Sequence, residues 1–286
     1  MGKILEGRTI AKRILKQVKG EVEKLKASGE VPGLAVVLVG GDPASKIYVG
    51  KKGATCRELG IYSELHNLPV TASEAELLGL IDRLNSSKNI HGILVQLPLP
   101  KQINPNKVIE AIAPEKDVDG FHTKNKGALW VGTPLLQPCT PLGVMMLLKA
   151  AKVKFGGKHA VVVGRSQIVG RPMAEMLLQQ DATVTICHSV TKNLKKLVEQ
   201  ADIVVSAVGR PHFIKGKWLK KGAVAIDIGM NRLGKKQLVG DIEFEAAKKR
   251  CSFITPVPGG VGPMTIAMLM RNTLQAFKLQ RNFGEG

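Results

Sequence analysis

The chain has 286 residues, an apolar fraction of 44% and a formal net charge of +19. This length exceeds that of a typical single domain, so we expect two globular domains. Only 4% of the residues are aromatic, which disfavours modules that stack nucleic-acid bases on exposed rings, and we expect no nucleic-acid partner. The basic residues form short groups such as Lys195-Lys196, which we interpret as solvated surface that attracts small polyanions.

Cysteine spacing and hydropathy both indicate a cytoplasmic protein. The four cysteines are Cys56, Cys139, Cys187 and Cys251. Their wide spacing is typical of neither a zinc site nor a small disulfide scaffold. No apolar run approaches the roughly 20 residues that cross a bilayer, and residues 1–8 lack the apolar stretch of a signal peptide. We therefore expect no metal site and no membrane partner.

The first half of the chain alternates helical and strand patterns. Apolar residues at helical spacing predict a helix over residues 8–26, and the apolar run 34–39 predicts a buried parallel strand. Asp42 as N-cap and Pro43 in the first turn predict a helix that ends at about Leu59. The next predicted elements are a strand at about 61–68, a helix at about 73–85 and a strand at 92–96. Repeated β-then-α order predicts a mostly parallel sheet with helices on both faces.

The second half repeats this order. It begins with a predicted helix at about 141–151 and ends with a predicted helix at about 263–279, which we expect to pack on the first domain. The strands predicted between these helices are 160–163, 183–187, 203–206 and 224–227. The chain is therefore predicted to be an α/β protein of two domains, each with a mostly parallel sheet flanked by helices.

Residues 164–172, Gly-Arg-Ser-Gln-Ile-Val-Gly-Arg-Pro, lie between a predicted strand and a helix. This is the context of a dinucleotide-binding turn, in which the helix N-terminus holds the pyrophosphate. Ser166 occupies the second glycine position of the usual fingerprint, and its hydroxyl can donate to a phosphate. Where an NAD enzyme usually has Asp or Glu, this chain has Ser189, and Arg165 lies in the turn. Since a carboxylate would repel a 2′-phosphate, we predict a Rossmann-like second domain that binds NADP.

Three features of the first half lie where parallel sheets build sites, at the carboxyl ends of strands. Tyr48 and Lys52 are four residues apart on one predicted helix and share a face. Gln96 ends a strand, and residues 117–120, Asp-Val-Asp-Gly, place two carboxylates before a turn. Each feature also has a purely structural explanation as core edge, backbone cap or turn. The acidic segment lacks the other oxygen ligands of a calcium loop. These residues alone predict an NADP-dependent two-domain enzyme.

Specific motifs occur along the whole chain, at residues 41–52, 95–100, 116–120, 138–141, 164–172 and 258–265. With these motifs the chain resembles the bifunctional methylenetetrahydrofolate dehydrogenase/cyclohydrolase family in its bacterial form. The resemblance implies oxidation of 5,10-methylenetetrahydrofolate with NADP, followed by hydrolysis to 10-formyltetrahydrofolate. It also implies tetrahydrofolate substrates, including polyglutamylated forms, a homodimer, and a place in purine, methionine, histidine and other amino-acid biosynthesis.

The resemblance also implies roles for individual residues. Lys52 moves protons in the hydrolysis, and Gln96 orients it. Tyr48 stacks on or bonds the substrate, and Asp119 anchors the pterin through hydrogen bonds. The implied cofactor contacts are Gly164, Arg165, Ser166, Ser189 and the main chain at Met230. The implied residues of the substrate cleft between the domains are Pro258, Gly259, Gly260 and Thr265.

The domain limits follow from the same motifs. We predict a folate-binding catalytic domain of residues 1–140 and 270–286, and an NADP-binding domain of residues 141–269. Two rival functions share part of these observations. A two-domain dehydrogenase of shikimate or amino-acid type has the same architecture, and it would turn over shikimate instead of the folate. A basic nucleic-acid binder would show salt-sensitive binding to a duplex and no folate activity.

Overall fold

The computed structural model describes residues 2–234 and 237–282, without the side chains of Ala44 and Asn282. The chain divides into two compact units, each of which we name after its main sheet. The three-stranded unit comprises residues 13–137 and 269–286, of which the last four lie outside the described residues. The six-stranded unit comprises residues 1–12 and 138–268.

Strands and helices alternate along most of the chain. The strands are β1 (Lys3–Ile4), β2 (Gly33–Val39), β3 (Tyr62–Leu68), β4 (Gly92–Val95), β5 (His159–Val163), β6 (Thr183–Cys187), β7 (Ile203–Ser206), β8 (Val224–Asp227), β9 (Asn231–Leu233), β10 (Gln237–Val239) and β11 (Phe253–Ile254). The helices are α1 (Gly7–Ala27), α2 (Pro43–Leu59), α3 (Glu74–Ser86), α4 (Pro105–Ala111), α5 (Thr123–Trp130), α6 (Cys139–Ala150), α7 (Gly170–Leu178), α8 (Leu194–Gln200), α9 (Phe244–Lys248) and α10 (Val261–Asn282). The predicted α/β class is confirmed.

The three-stranded unit is built on a parallel sheet with the strand order β3-β2-β4. The central strand β2 is apolar and buried along its whole length, as a parallel strand covered on both faces must be. Val37, Ile81 and Ile93 lie fully buried in the core between the sheet and α3. Asp42 caps α2, because its carboxylate accepts a hydrogen bond from the Ser45 amide at 2.7 Å. The cap fixes where α2 begins, directly after the carboxyl end of β2.

The second part of α10 belongs to the three-stranded unit. Asn272 donates hydrogen bonds to the carbonyl oxygens of Val118 at 2.9 Å and Gln137 at 2.8 Å. Further along the helix, Gln280 donates to the His91 carbonyl oxygen at 2.8 Å. These contacts join the second part of α10 to the three-stranded unit.

The six-stranded unit has the strand order β1-β11-β8-β7-β5-β6, and every pairing in this sheet is parallel. From β5 the chain adds β6 on one side and then crosses to add β7 and β8 on the other side. The strand order therefore reverses between β5 and β7, and such a switch point opens a crevice at the carboxyl ends of the strands. β9 and β10 form a separate antiparallel hairpin after β8.

Residues 2–12 lie in the six-stranded unit, which corrects the predicted first domain of residues 1–140. β1 extends the edge of the six-stranded sheet by pairing with β11, with Lys3 beside Phe253 and Ile4 beside Ile254. A strand of 2 residues has no periodicity that a sequence pattern can show, and its partner lies near the other end of the chain. The other unit limits, 137/138 and 268/269, lie close to the predicted 140/141 and 269/270.

The longest helices are α1, with 21 residues, and α10, with 22 residues. Charged residues recur along α1, as in a surface helix, whereas α10 is largely buried and its residues 261–270 carry no charge. Among the described residues, no helix combines the length and the apolar character that crossing a membrane requires.

Candidate active site and nucleotide-binding edge

Lys52 and Gln96 form a hydrogen-bonded pair at the carboxyl edge of the three-stranded sheet. Lys52 lies on α2, which follows β2, and Gln96 follows β4 directly. Lys52 Nζ donates to Gln96 Oε1 at 2.9 Å, and Gln96 Nε2 donates to the Leu97 carbonyl oxygen at 2.7 Å. The backbone amide of Gln96 donates to the Val37 carbonyl oxygen at 2.8 Å. Because both its backbone and its side-chain amide are fixed, Gln96 can hold the lysine amine in one orientation.

The Lys52 side chain is unusually well buried for a lysine, at 8% exposed. In the part of the chain that the structure describes, no carboxylate forms an ion pair with it. The amine is therefore held by a neutral amide oxygen, and its proton is not locked in an ion pair. Such an amine is suited to exchanging a proton with a bound molecule.

Tyr48 lies one helical turn before Lys52, on the same face of α2. Its side chain is half-buried, and burial raises the pKa of the Tyr48 phenol above its ordinary value. The phenol therefore stays protonated at neutral pH and can donate a hydrogen bond. The structure places Tyr48 beside Lys52, as the four-residue spacing predicts.

Asp119 lies in a loop that is anchored beside β4. Ile93 of β4 forms a parallel bridge to Asp117, so the segment that leads to Asp119 runs alongside this strand. Asp119 consequently lies at the same edge of the sheet as Gln96. Asp119 and Leu97, which follows Gln96, line one small cavity. The structure thus brings the four residues predicted from the first half of the chain to one edge of one sheet.

Buried polar side chains fix the backbone directly before Asp119. Asp117 is 1% exposed and accepts a hydrogen bond from Asn125 Nδ2 at 2.9 Å. Asn272 of α10 holds the Val118 carbonyl oxygen. Neither asparagine can be predicted from the sequence, because nothing in their local sequence distinguishes them from helix-surface residues. Their contribution depends on contacts that only the folded chain creates.

Gly164 begins the predicted dinucleotide turn at the end of β5. Its φ of 126° lies in the region that favours glycine, and a Cβ at this position would lie 2.4 Å from the Ala207 carbonyl oxygen. A Cβ on Gly170, the first residue of α7, would lie 2.1 Å from the Gly164 carbonyl oxygen. Both glycines are required because backbone packs on backbone at this turn.

Ser166 has a structural role that the sequence did not predict. Its Oγ accepts hydrogen bonds from the amides of Val169 and Gly170, both at 3.2 Å, at the start of α7. The hydroxyl hydrogen is not used in these bonds, since the oxygen acts as the acceptor. Ser166 is exposed, so its hydroxyl can also donate to a phosphate.

Arg165 and Ser189 lie after the neighbouring strands β5 and β6, and both are exposed. The Gly164 amide donates to the Cys187 carbonyl oxygen at 2.8 Å, so the two turns are adjacent. Neither the 164–172 turn nor the segment from Cys187 to residue 193 contains Asp or Glu. Arg165 offers a guanidinium and Ser189 a hydroxyl, and these two segments contain no carboxylate that would repel a phosphate. This edge can therefore accept a phosphate on the ribose.

Met230 follows β8, and the segment 258–265 follows β11, so both lie at the carboxyl edge of the six-stranded sheet. Gly259 has a φ of 111°, and its carbonyl oxygen accepts a hydrogen bond from the first residue of α1 at 3.0 Å. Thr265 Oγ1 lies 2.9 Å from Thr140 Oγ1. The predicted cofactor contacts and the 258–265 segment therefore share one edge of this sheet. Among the described residues, no group of three or more His, Cys, Asp or Glu side chains could hold a metal ion.

Both halves of the chain match one family. Residues 5–119 match the family described as Tetrahydrofolate dehydrogenase/cyclohydrolase, catalytic domain, and residues 138–281 match the one described as Tetrahydrofolate dehydrogenase/cyclohydrolase, NAD(P)-binding domain. The Bifunctional protein FolD of Geotalea daltonii is 61% identical over 278 residues, which are 97% of this chain and 99% of that protein.

Solved structures agree with these matches. The bifunctional FolD methylenetetrahydrofolate dehydrogenase/cyclohydrolase of Campylobacter jejuni has a TM-score of 0.96 at 46% identity, over 98% of this chain and 100% of that chain. The FolD of Trypanosoma brucei, complexed with NADP cofactor and inhibitor, has a TM-score of 0.95 at 39% identity, over 98% of both chains. Shikimate 5-dehydrogenase of Thermus thermophilus, at 14% identity and a TM-score of 0.50 over 85% of this chain and 99% of that chain, is similar in fold alone. The resemblance predicted from the sequence is confirmed, and the chain belongs to the tetrahydrofolate dehydrogenase/cyclohydrolase family.

Proposed function

We propose that this protein oxidises 5,10-methylenetetrahydrofolate to 5,10-methenyltetrahydrofolate with NADP and hydrolyses that product to 10-formyltetrahydrofolate. The observation that carries the proposal is the buried Lys52 amine, held at 2.9 Å by the side-chain oxygen of Gln96. Membership of the family supports both activities, since both of its domains match this chain. The rival shikimate-type dehydrogenase is supported by likeness of fold alone.

The substrate is held by Asp119 and Tyr48. A carboxylate accepts hydrogen bonds from the amino group and the ring N–H of a pterin, and such charge-assisted pairs are strong and directional. Asp119 is the carboxylate at the edge that also carries Lys52, and its loop is fixed by buried asparagines. Tyr48 offers a ring for stacking and a protonated phenol for donation.

The oxidation requires positioning more than acid–base help. As the methylene carbon loses hydride, lone pairs on the two neighbouring folate nitrogens stabilise the cation that forms. NADP, when bound, supplies the nicotinamide that accepts the hydride. The residues that bind it are Gly164, Arg165, Ser166, Ser189 and the main chain at Met230. Arg165 and Ser189 would hold the 2′-phosphate, and the 164–170 turn would hold the pyrophosphate.

The hydrolysis requires a group that moves protons near neutral pH. Water adds to the cationic methenyl carbon, and the Lys52 amine takes the first proton that the attacking oxygen loses. The bond from this carbon to N5 then breaks, and the second proton passes to N5, which leaves the formyl group on N10. Gln96 holds Lys52 Nζ by its side-chain oxygen, so that the amine faces the reacting carbon.

The proposal is tested by measuring both activities on the purified protein. NADPH formation from methylenetetrahydrofolate reports the oxidation, and loss of methenyltetrahydrofolate without NADP reports the hydrolysis. In Lys52→Met we expect hydrolysis to fall by about 1000-fold and oxidation to fall far less, because only hydrolysis needs the amine. Lys51→Met, which removes the exposed neighbouring lysine on α2, is the matched control and should keep both activities.

Two results would contradict the proposal. Equal retention of both activities in Lys52→Met would remove this lysine from the mechanism. If the wild-type protein turned over shikimate and not methylenetetrahydrofolate, the proposed function would be wrong and the shikimate-type dehydrogenase would take its place.

A homodimer is a further part of the proposal. β6 is one of the two edge strands of the six-stranded sheet. Apolar side chains remain exposed on it and just after it, with Ile186 at 41% and Val190 at 72%. An exposed strand edge with apolar neighbours is suited to pairing with a second copy. Sedimentation of the wild-type protein at a mass near 30.8 kDa would contradict a dimer.

The cellular role follows from the product. 10-Formyltetrahydrofolate and its precursors supply one-carbon units to purine, methionine and histidine biosynthesis in the cytoplasm. The net charge of +19 supports tetrahydrofolates with polyglutamate tails as substrates, since a positive field attracts polyanions. A lower KM for the triglutamate than for the monoglutamate, with the difference shrinking at high salt, is the expected result.

A further inference from the structure

Two buried aspartates lie beneath the carboxyl edge of the six-stranded sheet. Asp227 is the last residue of β8 and is 4% exposed, and Asp241 follows the β9–β10 hairpin and is 0% exposed. Buried carboxylates must be hydrogen-bonded because water cannot reach them. Their partners therefore show which segments they hold.

The Asp241 carboxylate accepts hydrogen bonds from the segments after two different strands. The donors among the described residues are Ser206 Oγ (3.2 Å), Val208 N (2.8 Å), Gly209 N (3.2 Å), Arg210 N (2.9 Å) and Asn231 Nδ2 (3.0 Å). Three of these donors are successive backbone amides of the loop after β7. One carboxylate thus sets the shape of this loop and ties it to the segment after β8.

Asp227 holds the backbone at Asp241 and Ile242 and the turn after β8. Its carboxylate accepts hydrogen bonds from the amides of Gly229 at 3.0 Å, Asp241 at 2.9 Å and Ile242 at 2.8 Å. A Cβ on Gly229 would lie 2.1 Å from Asp241 Oδ1, and a Cβ on Gly240 would lie 1.9 Å from Asp227 Oδ2. Asp241 therefore packs against Gly229, near Asp227, and Asp227 packs against Gly240, next to Asp241. A larger residue at either glycine would collide with a carboxylate.

The loop held by Asp241 contacts the dinucleotide turn directly. The Ala207 amide donates to the Val163 carbonyl oxygen at 2.8 Å, and the Ala207 carbonyl oxygen occupies the space that a Cβ on Gly164 would need. Asn231, which donates to Asp241, follows Met230, a proposed cofactor contact. Asp241 is thus connected to the nucleotide-binding edge on two sides without lying on its surface.

We propose that Asp241 is a positioning residue for the cofactor: its buried carboxylate holds the loops after β7 and β8 in the shape that binds NADP. This inference rests on the proposed NADP site. It assigns Asp241 no contact with substrate or nucleotide. It also predicts different effects on the two activities, because the hydrolysis uses Lys52 and Gln96 and no NADP.

The test is the isosteric substitution Asp241→Asn. It replaces one carboxylate oxygen with an NH₂ group that faces N–H donors, so these donors lose their acceptor. We expect the KM for NADP to rise about tenfold, kcat at saturating NADP to change less than about threefold, and hydrolysis of methenyltetrahydrofolate without NADP to equal that of the wild type. This split distinguishes positioning from a general loss of folded protein.

Asp202→Asn is the matched control, because Asp202 precedes β7 and lies at the opposite edge of the same sheet. Asp202 accepts hydrogen bonds from the His159 amide at 3.1 Å and from Lys220 Nζ at 2.7 Å, so its loss should lower Tm and leave the KM for NADP unchanged. A lower Tm with an unchanged KM for NADP in Asp241→Asn would overturn the inference. If that variant does not fold, Asn231→Ala removes one donor to Asp241, and an unchanged KM for NADP there would overturn the inference equally. A wild-type protein that does not bind NADP would instead refute the proposed function.

Discussion

The carboxyl edges of the two sheets carry different kinds of groups. The edge of the three-stranded sheet presents the proposed catalytic side chains, and the hydrogen bond from Lys52 to Gln96 orients two of them. The edge of the six-stranded sheet presents a backbone shape, set by glycines such as Gly164 and by the buried carboxylate of Asp241. The chemistry needs reactive atoms, whereas the cofactor needs a surface that fits it. Removing side-chain atoms should therefore lower activity at the first edge, and adding a side chain to a glycine should lower activity at the second.

Gly164→Ala is the strongest test of this contrast, and we expect kcat/KM for NADP-dependent oxidation to fall by about 1000-fold. The added Cβ would lie 2.4 Å from the Ala207 carbonyl oxygen, and the φ of 126° is unfavourable for alanine. Hydrolysis without NADP should be kept. Gly156→Ala in the same unit is the control, since its Cβ would meet no atom closer than 4.0 Å. An equal loss of hydrolysis in Gly164→Ala would contradict this contrast, because the hydrolysis uses no NADP.

Gln96→Leu tests the other edge by removing the acceptor of Lys52 while keeping the side-chain size. We expect hydrolysis to fall by about 100-fold, because the amine loses its orienting hydrogen bond at 2.9 Å. Oxidation should fall less, and the KM for NADP should not change. Gln102→Leu is the control, because Gln102 donates to the Val70 carbonyl oxygen at 2.7 Å and takes no part in the proposed site. Unchanged hydrolysis in Gln96→Leu would mean that Lys52 does not depend on Gln96.

Arg165→Ala sharpens the comparison, because it removes charge from the six-stranded edge and leaves the backbone intact. We expect the KM for NADP to rise about 30-fold and the KM for NAD to change little, since only NADP carries the 2′-phosphate. Arg210→Ala is the control from a neighbouring loop, where the backbone amide of Arg210 rather than its side chain bonds Asp241. Initial-rate measurements with both dinucleotides give the comparison. Equal effects on both KM values would show that Arg165 does not recognise the 2′-phosphate.

The last prediction concerns the pH dependence of stability, to which His91 at the amino edge of the three-stranded sheet contributes. Burial, together with the charges of Lys116 and Arg281, lowers the pKa of His91 from 6.5 to about 4, and its Nδ1 accepts a hydrogen bond from the Gly33 amide at 3.0 Å. The unfolded chain binds a proton here at a higher pH than the folded chain does. Stability should therefore fall as the pH drops from 6.5 towards 4, by about 2 kcal/mol from this group.

His91→Asn checks this expectation, because the asparagine Oδ1 can replace Nδ1 as the acceptor and does not titrate. Urea unfolding at several pH values should show a weaker acid dependence in this variant. His66→Asn is the control, since His66 lies on the edge strand β3 and pairs with Glu64 at 2.9 Å. An acid dependence in His91→Asn equal to that of the wild type would assign the effect to other groups.

Most of the long elements could be predicted from the sequence. The apolar runs of β2 and of β5 to β8, and the capped start of α2 at Asp42, are local signals that survive in the fold. The short elements were missed because α4, α9 and β9 to β11 each have between 2 and 7 residues, too few to show a period. The edge strand β1 was missed for the same reason, and with it the place of residues 1–12.

The candidate site divides in the same way. The sequence by itself determined which residues are proposed for the site, since Lys52, Gln96, Asp119 and the glycines of 164–170 lie in motifs that can be recognised locally. The tertiary structure alone decided what holds them in place. Asn272 reaches the loop of Asp119 from the last helix, and Asp241 lies beneath a loop that precedes it by some 30 residues, on the order of a βαβ unit. Because a hydrogen bond between distant segments leaves no periodic or capping signal, no single-sequence pattern could have revealed these supports.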